Sequence, residues 1–302
     1  DAVVVTGFSS GIGKHAALSL AREGYVVFAC VRKTEHGDAL IRSAETFGVD
    51  PNKIKPIILD ATNSKHISQG VKSVASFVGD RGLRGLFNNA GIASVPASQK
   101  ASLAVEHTDL ALFRKTFDVN FFGLVEVTQA FLPLLRKGGG RVVMNSSVAG
   151  WLGGPFFSAY ASSKHAVEGF SDSLRRELDP LGVKVSVIEP GYVTTPLFSG
   201  YIPEGLEPYS EAERKAAKVS WKSAIGAPSP RVTSEAVIHA MRAQTPKIRY
   251  IVGKDAGILK IIRNLPFSWV DAMLRSMNEN GDEISEAELT ELTEEARKEF
   301  SL

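Results

Sequence analysis

Thr6-Gly7-Phe8-Ser9-Ser10-Gly11-Ile12-Gly13 is the stretch that decides the fold. The apolar run Ala2 to Val5 stops at its start, as a buried parallel strand would. Helical spacing follows from Ile12 to Arg22, with Ala16, Ala17, Leu20 and Ala21 on one face and Gly24 closing it. Glycines let backbone amides approach a phosphate closely and permit positive φ. The helix that follows aims its amide groups and positive dipole end at such an anion. The spacing is G-x-x-x-G-x-G, not the G-x-G-x-x-G of the usual dinucleotide fingerprint.

The alternation begun here runs on through most of the chain. Tyr25 to Val31, Lys55 to Leu59, Leu83 to Phe87, Arg141 to Met144 and Val183 to Ile188 read as strands. Ala39 to Phe47, His66 to Phe77, Leu110 to Leu135 and Ala159 to Leu178 carry helical patterns between them. Such alternation predicts an α/β chain with a parallel, doubly wound sheet, and no repeat or linker divides it. Residues 1–255 are expected to form one domain, with 256–302 as a C-terminal extension. Pro196 to Pro230 mixes Gly, Pro, aromatics and charge, and reads as a lid-like excursion over a pocket. Gly257 to Met277 is apolar with Lys260, Arg263 and Arg275 interspersed, and a glutamate-rich tail follows. That apolar segment suits a cover for the pocket or a subunit interface better than peripheral contact with a membrane surface.

Composition narrows the partners. The chain has 302 residues, 44% hydrophobic and 23% charged, with 35 Lys plus Arg against 33 Asp plus Glu. A net charge of +2 gives no electrostatic case for nucleic acid. It averages two unlike parts, since the glutamates of the last segment offset a more basic body. The single cysteine, Cys30, excludes an internal disulfide framework and a Cys-cluster zinc site, and the six histidines show no metal spacing. At the end of an apolar run Cys30 reads as a small hydrophobe. No uninterrupted apolar run reaches the roughly 18–20 residues that span a bilayer. The expected location is the cytoplasm or a cytoplasmic or endoplasmic-reticulum membrane surface. The sequence starts at Asp1 rather than Met, so it carries no information on a removed leader or anchor.

Further motifs follow in order. Asn88-Asn89-Ala90-Gly91 follows the fourth strand, and Asn120 sits in Asp118-Val119-Asn120. Ser146-Ser147 ends the fifth strand, Tyr160-Ala161-Ser162-Ser163-Lys164 opens the next helix, and Pro190-Gly191 precedes Thr195. Together with TGxxxGxG this set resembles the short-chain dehydrogenase/reductase family over roughly residues 2 to 255, nearest its retinol, hydroxysteroid and hydroxybutyrate dehydrogenase branches. The resemblance implies a Rossmann-like fold and a nicotinamide cofactor. It assigns that cofactor to Gly7, Ser9, Ser10, Gly11, Ile12, Gly13, Arg32, Asp60, Asn88, Ala90, Gly91, Tyr160, Lys164, Pro190, Gly191, Val193 and Thr195. It places catalysis on Asn120, Ser147, Tyr160 and Lys164, with Asn120 in a water relay. A homodimer or homotetramer is expected by the same analogy.

The chemistry of these residues agrees with that assignment. Tyr160 and Lys164 are four apart on a helix and share a face. A tyrosine of pKa about 10 is a poor base near neutrality, and a neighbouring ammonium favours its phenolate. Tyr160 would exchange a proton with the substrate oxygen while a serine hydroxyl holds that oxygen. Alternation along a strand puts only one of Ser146 and Ser147 on the site face. The resemblance selects Ser147, thirteen residues before the tyrosine.

An acid at the end of the second strand usually holds the adenine ribose and signals NAD, whereas an arginine accommodates the NADP phosphate. Here Cys30 stands where NAD-preferring relatives carry aspartate, and Arg32 and Lys33 follow. NADP is therefore favoured, with NAD as the alternative. Trp151, Phe156, Phe157, Tyr192, Phe198 and Trp221 are candidates to line a pocket for an apolar alcohol or carbonyl such as a retinoid, a steroid or another lipid. The remaining alternatives are a smaller hydroxy acid or hydroxyacyl substrate with NAD, and a cofactor-binding redox sensor without activity.

Overall fold

A computed structural model describes residues 1–93, 100–198, 202–203 and 206–279. Seven parallel strands form one sheet: β1 (Ala2–Val5), β2 (Val26–Val31), β3 (Ile54–Ile58), β4 (Gly85–Asn88), β5 (Arg141–Asn145), β6 (Lys184–Pro190) and β7 (Arg249–Val252). Their order is β3-β2-β1-β4-β5-β6-β7. The helices α1 (Gly11–Arg22), α2 (Thr34–Thr46), α3 (Ser64–Val78), α4 (Leu110–Phe117), α5 (Gly123–Lys137) and α6 (Ser158–Leu178) alternate with the first six strands. Two apolar cores result, one on each face. Val3 and Val5 of β1 point into a core with α1, α2 and α8 (Arg231–Arg242), while Val4 points into one with α3, α5 and α6. Period-2 alternation of a strand buried on both sides requires this apolar run.

The order reverses between the parallel neighbours β1 and β4, from which the chain passes to opposite faces of the sheet, α1 into the first core and α5 into the second. A crevice at the carboxyl ends of strands beside such a reversal is where ligands of open α/β sheets bind. The loops after β1 and β4 are tied across it. The Thr6 hydroxyl accepts from the amides of Asn89 and Ala90 at 2.9 and 3.0 Å, and Asn89 Nδ2 donates to the carbonyls of Thr6 and Gly7 at 3.1 and 2.8 Å.

The structure departs from the sequence reading in four places. The helical pattern Leu110 to Leu135 is divided by a π-helical turn at Asp118–Phe122. The excursion Pro196 to Pro230 contains a fifteen-residue helix, α7 (Ser210–Ala224). Helix α8 and the edge strand β7 lie beyond the last predicted strand. The extension folds into α9 (Ala256–Ile262) and α10 (Phe267–Glu279), whereas the acidic tail 280–302 lies outside the described residues. Among the described residues no helix is long and apolar enough to cross a membrane.

Candidate functional site

Helix α1 begins without a side-chain cap. Ser10 stands at its N-cap and makes no capping hydrogen bond, and no acidic residue occupies the first turn. The orphan amides and dipole of this end are left facing the crevice. Gly7 has φ +64°, and a Cβ there would lie 2.6 Å from Ala90 Cα, so the β1 loop requires glycine twice over. Contrast α3, where Asn63 Oδ1 accepts from the amides of Lys65 and His66 and satisfies the same kind of end internally.

A cavity of about 570 Å³ opens over this loop. Of the residues the resemblance assigned to the cofactor, Gly7, Ser9, Ser10, Gly11, Ile12, Gly13, Arg32, Asp60, Ala90, Gly91, Tyr160, Lys164 and Thr195 line it. Four do not. Asn88 is buried with its amide on Thr128 Oγ1 at 2.8 Å, and its neighbour Asn89 lines the cavity instead. Pro190 and Gly191 border a second cavity, and Val193 is buried and lines neither. His36, Thr62 and Lys115 also line the first cavity and were not singled out from sequence.

Its far end carries cations where β2 and β3 finish. Cys30 is buried, its thiol pushed up by burial alone, and it contributes wall rather than charge. Burial acts to raise the Asp60 carboxyl, but hydrogen bonds from the Thr62 amide and hydroxyl and the nearby Arg32 charge outweigh it and hold it low. Arg32 and the half-buried His36 line the same end. An uncapped helix start, a glycine that admits no Cβ and a basic far end fit a dinucleotide phosphate chain.

The second cavity, about 370 Å³, is walled mainly by apolar side chains. Its lining comes from residues between Ser147 and Phe157 after β5, Tyr160 of α6, Pro190, Gly191 and Tyr192 at the end of β6, the α7 residues Ala216, Val219, Ser220 and Ser223, and Asp255 with Ile258, Leu259, Ile262, Met273 and Leu274 of the extension. Among the aromatic candidates, Phe157 and Tyr192 line it, and the Tyr192 hydroxyl is bonded to Ser220. Trp221 is buried in packing, Trp151 lies under Arg263, Phe156 is outside the lining, and the side chain of Phe198 lies outside the described residues. The extension thus covers the pocket with one side of α9 and α10. Their other side exposes Ile261, Phe267 and Trp269.

Tyr160 lines both cavities. It is bonded to Ser147, which borders the apolar side, whereas the hydroxyl of Ser146 is buried and unpartnered. Lys164 lies one turn on, with Nζ on the carbonyl of Asn145 at 2.8 Å. Sequence alone suggested that this lysine would lower the tyrosine. In the structure burial dominates: it pushes the Tyr160 hydroxyl up to about 12, against the Ser147 bond, and the Lys164 ammonium down to about 8. Asn120 lines neither cavity. Its side chain bonds the amide and carbonyl of Ile92 at 2.8 and 3.0 Å and Ser163 Oγ at 3.0 Å, within the π-helical turn.

Comparisons with known proteins identify the family. The family described as short chain dehydrogenase matches residues 1–204. The mitochondrial D-beta-hydroxybutyrate dehydrogenase of Rattus norvegicus is 36% identical over 271 residues, 82% of this chain and 76% of that protein. Retinol dehydrogenase 16 of Mus musculus is 36% identical over 295 residues, 90% of this chain and 87% of that one. A solved actinorhodin polyketide ketoreductase with NADPH superposes with a TM-score of 0.68 at 26% identity, covering 85% of this chain and 97% of its own.

Proposed function

The chain belongs to the short-chain dehydrogenase family and is an oxidoreductase acting on CH–OH groups, and from that premise we propose that it moves hydride between NADP(H) and an apolar alcohol or its carbonyl. The observation that carries the proposal is the position of Tyr160, bonded to Ser147 and lining both the polar and the apolar cavity. When bound, the dinucleotide supplies and accepts the hydride. The protein's own residues do the rest. The α1 amides and Gly7 hold the phosphates, and Arg32 with His36 faces the adenosine end. Ser147 holds the substrate oxygen, and Tyr160 gives that oxygen a proton in reduction or takes one in oxidation. Lys164 keeps a cation beside the tyrosine.

Two features support NADP and an uncharged substrate. No carboxylate ends β2; Arg32 and His36 line that end of the cavity instead, and a solved relative binds NADPH. Among the described residues lining the apolar cavity there is no Lys, Arg or His, and Asp255 stands on it. A hydroxy acid's carboxylate would meet a like charge and, among those lining residues, no cationic partner there.

The decisive measurement pairs Tyr160→Phe with cofactor titration. The variant should bind NADPH as the wild type does while turnover of apolar carbonyls falls by about 10²–10⁴. Undiminished turnover would refute the role of Tyr160, and equal affinity for NADH would refute the NADP preference.

A further inference from the structure

Glu189 is the last residue before Pro190-Gly191, which border the apolar cavity, and its side chain is 0% exposed. Two arginines reach it. Arg263 Nη1 donates to both carboxylate oxygens at 2.8 Å, and Arg249 Nε lies 3.2 Å from Oε1. Arg249 is shared, because it also bonds Glu168 at 3.1 Å and Asp172 at 3.0 Å, both on α6. Arg175 Nε stands 4.0 Å from Asp172 and adds a third, more distant cation. An uncompensated buried charge is costly, and without Arg263 two guanidinia would face three carboxylates, with the fully buried Glu189 left to Arg249 alone.

Arg263 follows α9 directly. That helix presents Leu259 and Ile262 to the apolar cavity, and a Cβ on Gly191 would meet Leu259 Cδ1 at 3.2 Å. The guanidinium also lies 5.2 Å from the ring centroid of Trp151 on the opposite loop. One side chain therefore joins the extension to the strand end carrying Pro190-Gly191 and to the loop between Ser147 and Tyr160. All of α9 lies beyond residue 204, where the match to the family stops.

We infer that Arg263 is a positioning residue for substrate selectivity: through Glu189 and Trp151 it fixes α9 as the wall of the apolar cavity and so decides how long a substrate seats. This rests on the reading of that cavity as the substrate's. A short carbonyl needs only Ser147 and Tyr160, whereas a long one also needs the α9 wall in place. Removing the clasp should then weaken binding in proportion to substrate length, without reaching the cofactor cavity, whose lining includes no extension residue.

The test compares wild type with Arg263→Ala, Arg263→Lys and Glu189→Gln on decanal and butanal, with NADPH affinity measured separately. Arg263→Ala should raise KM for decanal about tenfold or more while kcat, KM for butanal and NADPH affinity stay near the wild type. Arg263→Lys, which keeps the charge, should recover part of the loss. Hydrogen exchange supplies a readout independent of turnover: α9 and α10 should exchange faster in Arg263→Ala and Glu189→Gln while α6 stays protected. Unchanged exchange in α9, or equal loss on both aldehydes, overturns the clasp. A wild type that turns over neither aldehyde yet shows the exchange result overturns the substrate reading instead. Should Arg263→Ala fail to fold, Arg263→Lys and Glu189→Gln carry the same comparison.

Discussion

Lys164 Nζ donates at 2.8 Å to the main-chain carbonyl of Asn145 and stands 5.7 Å from the ring centroid of Tyr160. The ammonium is thus tethered to the end of β5, not to the phenol. Asn145 in turn donates from Nδ2 to Asn89 Oδ1 at 2.9 Å, and Asn89 holds the carbonyls of Thr6 and Gly7. One hydrogen-bonded line therefore runs from the catalytic helix to the phosphate loop. It sets the lysine where its charge reaches both the tyrosine and a bound dinucleotide.

That arrangement fixes a pH dependence. Burial holds the Tyr160 hydroxyl at about 12 when only protein surrounds it. Bringing it to neutral pH requires about 7 kcal/mol of preferential stabilisation of the phenolate. Oxidation needs the phenolate as base, so its rate should climb with pH across the neutral and alkaline range. Reduction needs the protonated hydroxyl, so its rate should stay level over the same range and fall only where oxidation levels off. Initial rates in both directions on one alcohol–carbonyl pair check this; an oxidation rate independent of pH contradicts it.

Lys164→Met should stabilise the protein while abolishing turnover. Burial lowers the Lys164 ammonium from 10.5 to about 8, with Glu168 opposing the shift. The unfolded chain therefore binds a proton between these pH values that the native state does not, and stability falls as pH falls through that window. The full cost, about 3 kcal/mol, is present below pH 8. About 1 kcal/mol is lost again because the Asn145 carbonyl keeps no donor. Urea unfolding at pH 7 should show a net gain of about 2 kcal/mol that turns into a net loss of about 1 kcal/mol above pH 10.5, where only the missing hydrogen bond remains.

How much of this was legible in sequence depends on range. Strands β1, β2, β4, β5 and β6 announce themselves because they are buried on both faces and mainly apolar, whereas the edge strand β3 is only partly buried and is legible from Ile54, Ile57 and Ile58 around Lys55 and Pro56. Edge strand β7 does not: only Tyr250 is buried, and the strand opens on Arg249, which serves the carboxylate cluster. Helix α7 was hidden by its polarity, since it buries Glu213 and Lys218 as well as Trp221, and Glu213 accepts from the Leu103 amide and Ser102. Tyr160, Lys164 and Ser147 were readable as a spacing. Arg263 and Glu189 stand 74 residues apart with no local pattern, and only the fold brings them together.

The basic end of the first cavity predicts cofactor choice. Arg32 and His36 line it and no acid ends β2. Arg32→Ala should weaken NADPH by about 1–3 kcal/mol, or about ten- to a hundredfold, and leave NADH nearly unchanged. His36→Ala should act in the same direction, through the loss of a hydrogen-bonding side chain at the same end of the cavity. Affinities of each variant for NADPH and NADH, followed by fluorescence, separate these effects. Equal loss of both cofactors on Arg32→Ala would show that the arginine supports the loop and does not read the phosphate.

Gly7→Ala should cost far more than the left-handed backbone alone explains, and Gly48→Ala measures the difference. Both glycines have positive φ, +64° and +70°. A Cβ on Gly48 meets nothing within 4 Å, so that variant carries only the conformational penalty of about 1–2 kcal/mol. A Cβ on Gly7 would sit 2.6 Å from Ala90 Cα and 2.9 Å from its nitrogen, both backbone atoms held by Thr6. The loops after β1 and β4 must then part, which breaks the Thr6 and Asn89 hydrogen bonds across the crevice. We expect Gly7→Ala to lose about 1–3 kcal/mol beyond Gly48→Ala and to lose dinucleotide binding, while Gly48→Ala keeps it. Equal destabilisation of the two variants, measured by urea unfolding, would mean that the loops yield without strain. In that case the phosphate cradle is not held rigid by the Thr6 and Asn89 ties.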